Sequence, residues 1–216
     1  MQVRDGVNFD DKNIGVNLQL RRPSDAFALA LRENIGVSCL NLRLRNGKLM
    51  RVLGIDPGSE TLGWGVVDGS GSKYALVDFG TVKSNPKQQF SKRLLNIYNG
   101  VAEILDKHSP DVLSVEDTFY AVNVGVALKL GQVRGTMLLL AEQHGIEIAE
   151  YAPRLVKQTV VGYGNAEKHQ VQEMVKLLLK MKTVPTPHDA ADALAIAICH
   201  FHHAGLQDKL KRIKSK

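Results

Sequence analysis

The sequence predicts an α/β fold in which a mixed five-stranded sheet is flanked by helices in a single domain. From Arg51, three apolar strand patterns follow one another with short connections, which is typical of an antiparallel meander. From about residue 88, helical patterns alternate with two further short strands. At 216 residues and 44% hydrophobic content, the chain can bury one substantial core.

The first 49 residues differ in character from the rest of the chain. They carry scattered charges, a short helical pattern from Ser24 and an alternating stretch at 40–45, without a clear domain. Met50 stands directly before the first convincing strand. We therefore expect residues 1–49 to be an N-terminal extension outside the fold, with Met50 the native start. Residues 50–206 form the predicted folded domain, and residues 207–216 form a basic C-terminal tail.

Strands are predicted at 51–56, 63–68 and 74–82. The first strand ends in Asp56, followed by Pro and Gly, so its carboxylate lies at a rim where the backbone can approach a ligand. An amphipathic helix at about 88–107 leads to the strand 112–115, which runs directly into Glu116. Two strands therefore end in a carboxylate.

A long helix is predicted over about 123–143. Gly131 and Gly135 share a stripe with several of its apolar residues, and this spacing permits close approach of another backbone. Two interpretations stay open: the sheet or another helix packs on the stripe, or the stripe forms a subunit interface.

The C-terminal half predicts a strand at 147–150, a short helix at 154–160, a Gly-rich loop at 162–165, a helix to Lys182 and a last helix over 187–203. Together with the preceding elements, this order matches the ribonuclease-H-like architecture.

Asp189 and Asp192 lie on one face at the start of the last helix, among small alanines. Asp189 alone is explained equally well as a capping acid, with Thr186 as the N-cap. However, the strands ending in Asp56 and Glu116 are expected to lie side by side. The last helix then brings four acids to one rim, where they repel one another unless a cation holds them.

Hard oxygen ligands indicate Mg²⁺, with Mn²⁺ as a substitute. Two such ions promote in-line hydrolysis of a phosphodiester without a covalent intermediate. His188 is a further ligand candidate, although the pattern favours a solvent-facing position.

The net charge of +6 and the wide separation of the two cysteines, Cys39 and Cys199, fit a cytoplasmic protein that binds polyanions. The sequence shows neither a secretory signal pattern nor an apolar run long enough to predict a membrane span.

The chain resembles the RuvC-type Holliday junction resolvases over about residues 50–204. The matching segments are 53–59, 63–66, 115–119, 127–135, 156–162, 166–168 and 189–197. The resemblance implies a homodimeric, Mg²⁺-dependent endonuclease with two ions per subunit. Such an enzyme nicks a four-way junction symmetrically in recombination and repair, alongside the RuvA and RuvB branch-migration proteins.

The resemblance also assigns residues. The family's four catalytic and metal-binding positions correspond to Asp56, Glu116, Asp189 and Asp192, and its DNA-contact positions correspond to Phe119, Lys157 and Lys168. An aromatic ring at Phe119 is suited to stacking on an unpaired base, or otherwise packs in the core. Lys168 begins a helix, where a lysine is unfavourable unless a phosphate binds.

Two other classes of protein compete with a nuclease. Sugar-kinase-like and chaperone-like ATPases also open with Asp-x-Gly and a hairpin, but they need a second such domain and a Gly-Gly loop, which this sequence lacks. A non-catalytic junction-binding protein is disfavoured because four unneutralised acids repel DNA.

Overall fold

The computed structural model describes residues 49–70, 72–117 and 123–214, with side chains as far as residue 204. These residues belong to one compact unit. The predicted N-terminal extension lies outside them except for Leu49. The strands are β1 Met50–Asp56, β2 Thr61–Ser70, β3 Lys73–Lys83, β4 Val112–Glu116 and β5 Glu147–Tyr151. The helices are α1 Phe90–His108, α2 Val124–Gln143, α3 Pro153–Val161, α4 Lys168–Leu178 and α5 His188–Lys214.

The sheet has the order β3-β2-β1-β4-β5. β1, β2 and β3 form the predicted antiparallel meander, and β4 and β5 add in parallel to β1. The connections explain this arrangement, because short turns join the antiparallel strands and helices join the parallel ones. The mixed five-stranded α/β fold is thus confirmed.

Each face of the sheet carries its own core. On β1, Leu53 and Ile55 pack with α1 and α2, whereas Val52 packs with α3, α4 and α5. Successive residues of a strand point to opposite faces, so a continuous apolar strand supplies both cores. The result is a helix-sheet-helix sandwich with β1 at its centre.

Helix α5 lies directly on the sheet because β1 and β2 present glycines to it. A Cβ built on Gly54 would stand 2.0 Å from the carbonyl oxygen of Ala193, and one on Gly63 would stand 2.0 Å from that of Asp189. The facing helix surface is made of small residues, including Ala190, Ala193 and Ala197, all fully buried. Backbone therefore meets backbone along this helix.

Two predicted helix ends and one predicted N-cap were wrong. Helix α4 ends at Leu178 rather than Lys182, because Lys180 adopts a left-handed conformation with φ 54° and the Met181 N–H turns back to the Lys176 carbonyl at 2.9 Å. Helix α5 starts at His188, with the Pro187 carbonyl accepting from the Ala190 N–H at 3.1 Å, so Thr186 is not its N-cap.

The same helix continues to Lys214, eleven residues past its predicted end at His203. The segment predicted as a basic C-terminal tail is therefore helical through Lys214. Gly205 lies within this helix. A single glycine weakens a helix by about 1 kcal/mol, which does not have to end it.

Helix α2 has an apolar surface that the described residues leave partly uncovered. Val133, Met137, Leu140 and Ala141 are buried against the sheet, but a Cβ on Gly131 or Gly135 would meet nothing within 4 Å. The interpretation that the sheet or another helix of this chain packs on the glycines is wrong for the described residues. A subunit interface stays a prediction.

By length and composition alone, α2 could cross a membrane: it has 20 residues, and its most apolar 18-residue window has a mean hydropathy of 1.3 and is 22% buried. This was not expected from the sequence. The inner face of the helix nevertheless packs on the sheet, and Arg134 forms ion pairs with Asp117 and Glu150. The apolar residues of α2 that do not pack on the sheet lie on its outer face.

We predict that Gly54→Ala destabilises the protein by about 3 kcal/mol or more, since the new methyl group would overlap helix backbone that cannot rotate away. Gly80→Ala is the matched control in β3, because its Cβ would meet the Trp64 indole at 3.0 Å, and a side chain can shift. Urea unfolding monitored by circular dichroism measures both. A Gly54→Ala protein as stable as Gly80→Ala would contradict the close contact between α5 and the sheet.

Candidate metal centre

Two carboxylates come together at the carboxyl ends of neighbouring strands. β1 and β4 run in parallel with Ile55 opposite Val115, so Asp56 and Glu116 follow at the same edge. The alternation of each strand decides which face they share. Val52 and Gly54 precede Asp56 on the α5 side, and Ser114 precedes Glu116 there, donating its hydroxyl to the Ile196 carbonyl at 3.2 Å.

Helix α5 supplies the other two acids. The contact of its backbone with Gly63 fixes Asp189 over the start of β2, and Gly63 is the residue that pairs with Asp56. Asp192 follows three residues later on the same side of the helix. Asp189 lies in the first turn as predicted, where a negative charge also favours the helix.

A cavity of about 170 Å³ opens at this edge. It is lined by the acids Asp56, Glu116 and Asp192, the lysines Lys157 and Lys168, and the apolar or small residues Pro153, Val156, Val171, Ala195 and Ile196. The sequence predicted the charged residues but not this apolar wall. The wall comes from α3, α4 and α5, whose relative placement no local pattern encodes.

Burial, with the charges of neighbouring acids, raises the pKa of Asp56, Glu116 and Asp192. Burial raises the pKa of the Asp56 carboxyl to about 7, and the charges of the other three acids contribute. Burial also raises the pKa of Glu116 to about 7, with a further contribution from Asp192. The pKa of Asp192 is raised as well, mainly by burial, against the lowering effect of Lys168. The four predicted acids therefore form one electrostatic cluster.

Both predicted lysines stand beside this cluster. Lys168 Nζ lies 3.9 Å from Asp192 Oδ2, and its side chain is 72% exposed. Lys157, from α3, lowers the pKa of Glu116. Phe119, the third predicted DNA contact, lies outside the described residues, as does its neighbour Tyr120. His188 is exposed as predicted, and its ring Nδ1 contacts the side-chain amide of Gln172.

The chemistry of the donors fits a hard divalent cation, although the acids are not drawn together around one. Within the described residues, no group of three or more Asp, Glu, His or Cys side chains is close enough to hold a metal ion. The raised pKa values show that the full negative charge is unfavourable in the cluster without a compensating cation. Carboxylate oxygens are the ligands that Mg²⁺ and Mn²⁺ prefer.

Arg134 is a neighbouring residue that the sequence did not single out. It ion-pairs with Glu150 and with Asp117, 3.4 Å away. The Asp117 N–H donates to the Tyr151 carbonyl at 2.9 Å, so the backbone after Glu116 is held from two sides. No sequence signal distinguished Arg134 from a solvated helix residue, because its partners come from distant elements.

Comparisons with known proteins agree on one family. The family model described as crossover junction endodeoxyribonuclease RuvC matches residues 52–200. A protein of that name from Chloroflexus aggregans (strain MD-66 / DSM 9485) is 52% identical over 155 residues, which cover 72% of this chain and 94% of that protein. Another from Rhodopseudomonas palustris (strain TIE-1) is 48% identical over 164 residues, covering 76% and 94%.

The solved structures agree. T. thermophilus RuvC in complex with Holliday junction substrate matches with a TM-score of 0.70 and 37% identity, covering 73% of this chain and 96% of that one. The yeast mitochondrial Holliday junction resolvase Ydc2 matches with a TM-score of 0.57 over 77% of this chain and 84% of that one. At 18% identity, Ydc2 is informative about the fold alone.

In the absence of divalent cations at pH 8, we expect Asp56→Asn to increase the free energy of unfolding by about 1 kcal/mol or more. Asp56 has a folded-state pKa of about 7, so the unfolded state releases this proton at lower pH than the folded state. The wild type therefore loses stability as pH rises from about 4 through about 7, a loss that asparagine does not share.

Thermal unfolding in EDTA between pH 5 and 8 measures this effect, and Asp106→Asn, an exposed acid of α1, serves as the control. Added Mg²⁺ should raise the melting temperature of the wild type more than that of Asp56→Asn. The electrostatic account fails if Asp56→Asn is no more stable than the wild type at pH 8 in EDTA.

Proposed function

The chain belongs to the RuvC family of crossover junction endodeoxyribonucleases, and on that premise we propose that it resolves Holliday junctions by paired, symmetric nicks in recombination and repair. The observation that carries the proposal is the convergence of Asp56, Glu116 and Asp192 on one cavity beside Lys157 and Lys168, within the segment that matches the family. A cavity that joins acids to lysines can bind a cation and a phosphate together.

We propose that Asp56, Glu116, Asp189 and Asp192 are the catalytic acids and hold Mg²⁺, with Mn²⁺ as a substitute and two ions per subunit. When bound, such ions activate water and stabilise the charge on a phosphodiester. The residues of the chain position these ions and limit the access of water. Asp56 and Glu116 extend from paired strands, so their backbone is already in place while the side chains close on a cation, and the Val156 and Val171 wall limits the volume open to bulk water.

Lys157 and Lys168 are proposed to bind the scissile strand. Lys168 is exposed and held loosely at 3.9 Å by Asp192, so it can exchange that partner for a phosphate when the acids are neutralised. The start of α4 by itself is a poor anion site, because the acid Glu167 precedes it and the Gln170 side chain accepts from the Glu167 N–H at 2.9 Å. The proposal therefore depends on the lysine rather than on the helix terminus. Phe119 keeps its proposed role of stacking on an unpaired base.

A homodimer is proposed because two nicks on one junction need two sites. The outer face of α2 is suited to this, since Val124, Leu128 and Leu139 are 73%, 65% and 57% exposed and no described residue covers the glycines between them. Glycine on such a stripe lets a second helix approach closely. We further propose cytoplasmic action alongside RuvA and RuvB.

We expect the wild type to cleave a synthetic four-way junction in Mg²⁺ at paired positions, and Asp56→Asn to lose at least about 10³-fold in rate because it removes a central ligand. Electrophoretic binding assays in Ca²⁺ should show that this variant still binds the junction. A duplex of the same sequence is the substrate control. Binding without cleavage by the wild type in Mg²⁺ would indicate a junction-binding protein instead.

We expect Leu139→Glu to shift the protein from dimer to monomer, because a buried unpaired charge at an interface costs several kcal/mol. Leu95→Glu is the matched control: Leu95 in α1 is also 57% exposed but lies on a different helix. Sedimentation equilibrium measures both variants. If Leu139→Glu and Leu95→Glu dimerise equally well, the outer face of α2 is not the interface.

A further inference from the structure

The turn after Asp56 is held from outside by a buried arginine. This turn, residues 57–60, connects β1 to β2 and is called the Asp56 turn. Gly58 packs so tightly within it that a Cβ would stand 1.8 Å from the Thr61 carbonyl oxygen. The arginine is Arg93, in the first turn of α1, and it is 6% exposed.

Arg93 reaches the Asp56 turn with two nitrogens. Its Nη2 donates to the Ser59 carbonyl oxygen, and its Nε donates to the Ser84 hydroxyl at 3.2 Å. Ser84 in turn donates its hydroxyl to the Ser59 carbonyl at 2.9 Å and its N–H to the Glu60 carbonyl at 2.9 Å. Arg93 and Ser84 thus form a clamp on two successive carbonyl groups.

A buried guanidinium needs a reason, because removing a charge from water costs several kcal/mol unless hydrogen bonds compensate. The carboxylate near Arg93, that of Glu60, is 67% exposed and 3.9 Å away, so it forms only a weak ion pair. The clearest compensation comes from the neutral Ser59 carbonyl and the Ser84 hydroxyl. The main role of the Arg93 contacts is therefore to hold the backbone conformation of the turn.

We propose that Arg93, supported by Ser84, is a positioning residue that fixes the Asp56 turn and thereby the placement of the Asp56 carboxylate against Glu116 and α5. This rests on the proposed function of the acids. The effect passes through the backbone, because Arg93 donates to the Ser59 carbonyl and to the Ser84 hydroxyl, and Ser59 lies three residues after Asp56. Loss of the clamp should therefore make the site less ordered without changing the charges of its acids.

The chain offers a matched control at the opposite end of the same strand. Arg51 begins β1, pairs with Asp68 at 2.7 Å and donates to the His108 carbonyl at 2.8 Å. It is also partly buried and also holds a backbone carbonyl, but it lies far along β1 from Asp56. Arg51→Met should cost stability of the same kind as Arg93→Met without reaching the site.

The experiment compares Arg93→Met, Arg93→Lys, Ser84→Ala and Arg51→Met with the full-length wild type. Hydrogen exchange reads the order of residues 58–61, Mn²⁺ binding is followed by electron paramagnetic resonance, and junction cleavage gives kcat and KM. For Arg93→Met we expect faster exchange in the turn, about 10-fold weaker Mn²⁺ binding and a kcat about 10- to 100-fold lower, with KM little changed.

Arg93→Lys should recover part of the effect, since a lysine can donate to Ser59 but lacks the fork that also reaches Ser84. It also serves if Arg93→Met does not fold, as does Ser84→Ala, which keeps the arginine and should loosen the turn less. Equal loss of kcat in Arg93→Met and Arg51→Met, or unchanged exchange in the turn when Arg93 or Ser84 is replaced, overturns the proposal.

The two proposals fail in different ways. If the wild type neither binds Mn²⁺ nor cleaves a junction, the proposed function fails, while the exchange data still report whether Arg93 orders the turn. Asp56→Asn separates them further, because it should abolish cleavage and leave exchange in the turn as in the wild type.

Discussion

The direct contact of helix α5 with the centre of the sheet determines where the acids of the candidate site lie. Gly54 and Gly63 remove the side chains that would hold the helix away, and the helix presents alanines in return. Packed layers are ordinarily held apart by their side chains, as in stacked sheets, which stand roughly 10 Å apart. Here the missing side chains bring the first turns of α5 down to the strand ends, so that Asp192 shares a cavity with Asp56.

That placement has an electrostatic cost. Burial and mutual repulsion raise the pKa of Asp56 and Glu116 to about 7, so close to neutral pH the metal-free site carries less than its full charge. The close packing of α5 and the paired strands stabilise a cluster that its own charges oppose. A divalent cation held by these side chains, as proposed, would offset the repulsion between them.

The two faces of the sheet contribute differently to the site. The face with α3, α4 and α5 carries the acids, the lysines and the apolar wall of the cavity, whereas the opposite face carries α1 and α2. Elements on that second face still reach the site: Arg93 of α1 holds the turn after Asp56, and Arg134 of α2 pairs with Asp117, next to Glu116. Helix α2, with its uncovered outer face, thus joins a proposed subunit contact to the end of β4.

The strands, the antiparallel meander and the two strand-ending carboxylates could be predicted from the sequence, because alternation, turn residues and the residue at a strand end are local patterns. The end of α4 could not, since it depends on the left-handed Lys180, and neither could the continuation of α5 beyond His203. Gly131 and Gly135 were open to two interpretations, and no pattern gave a sign of Arg93. These features depend on tertiary structure, because a glycine or an arginine acquires its role from the distant backbone that lies within a few ångströms of it.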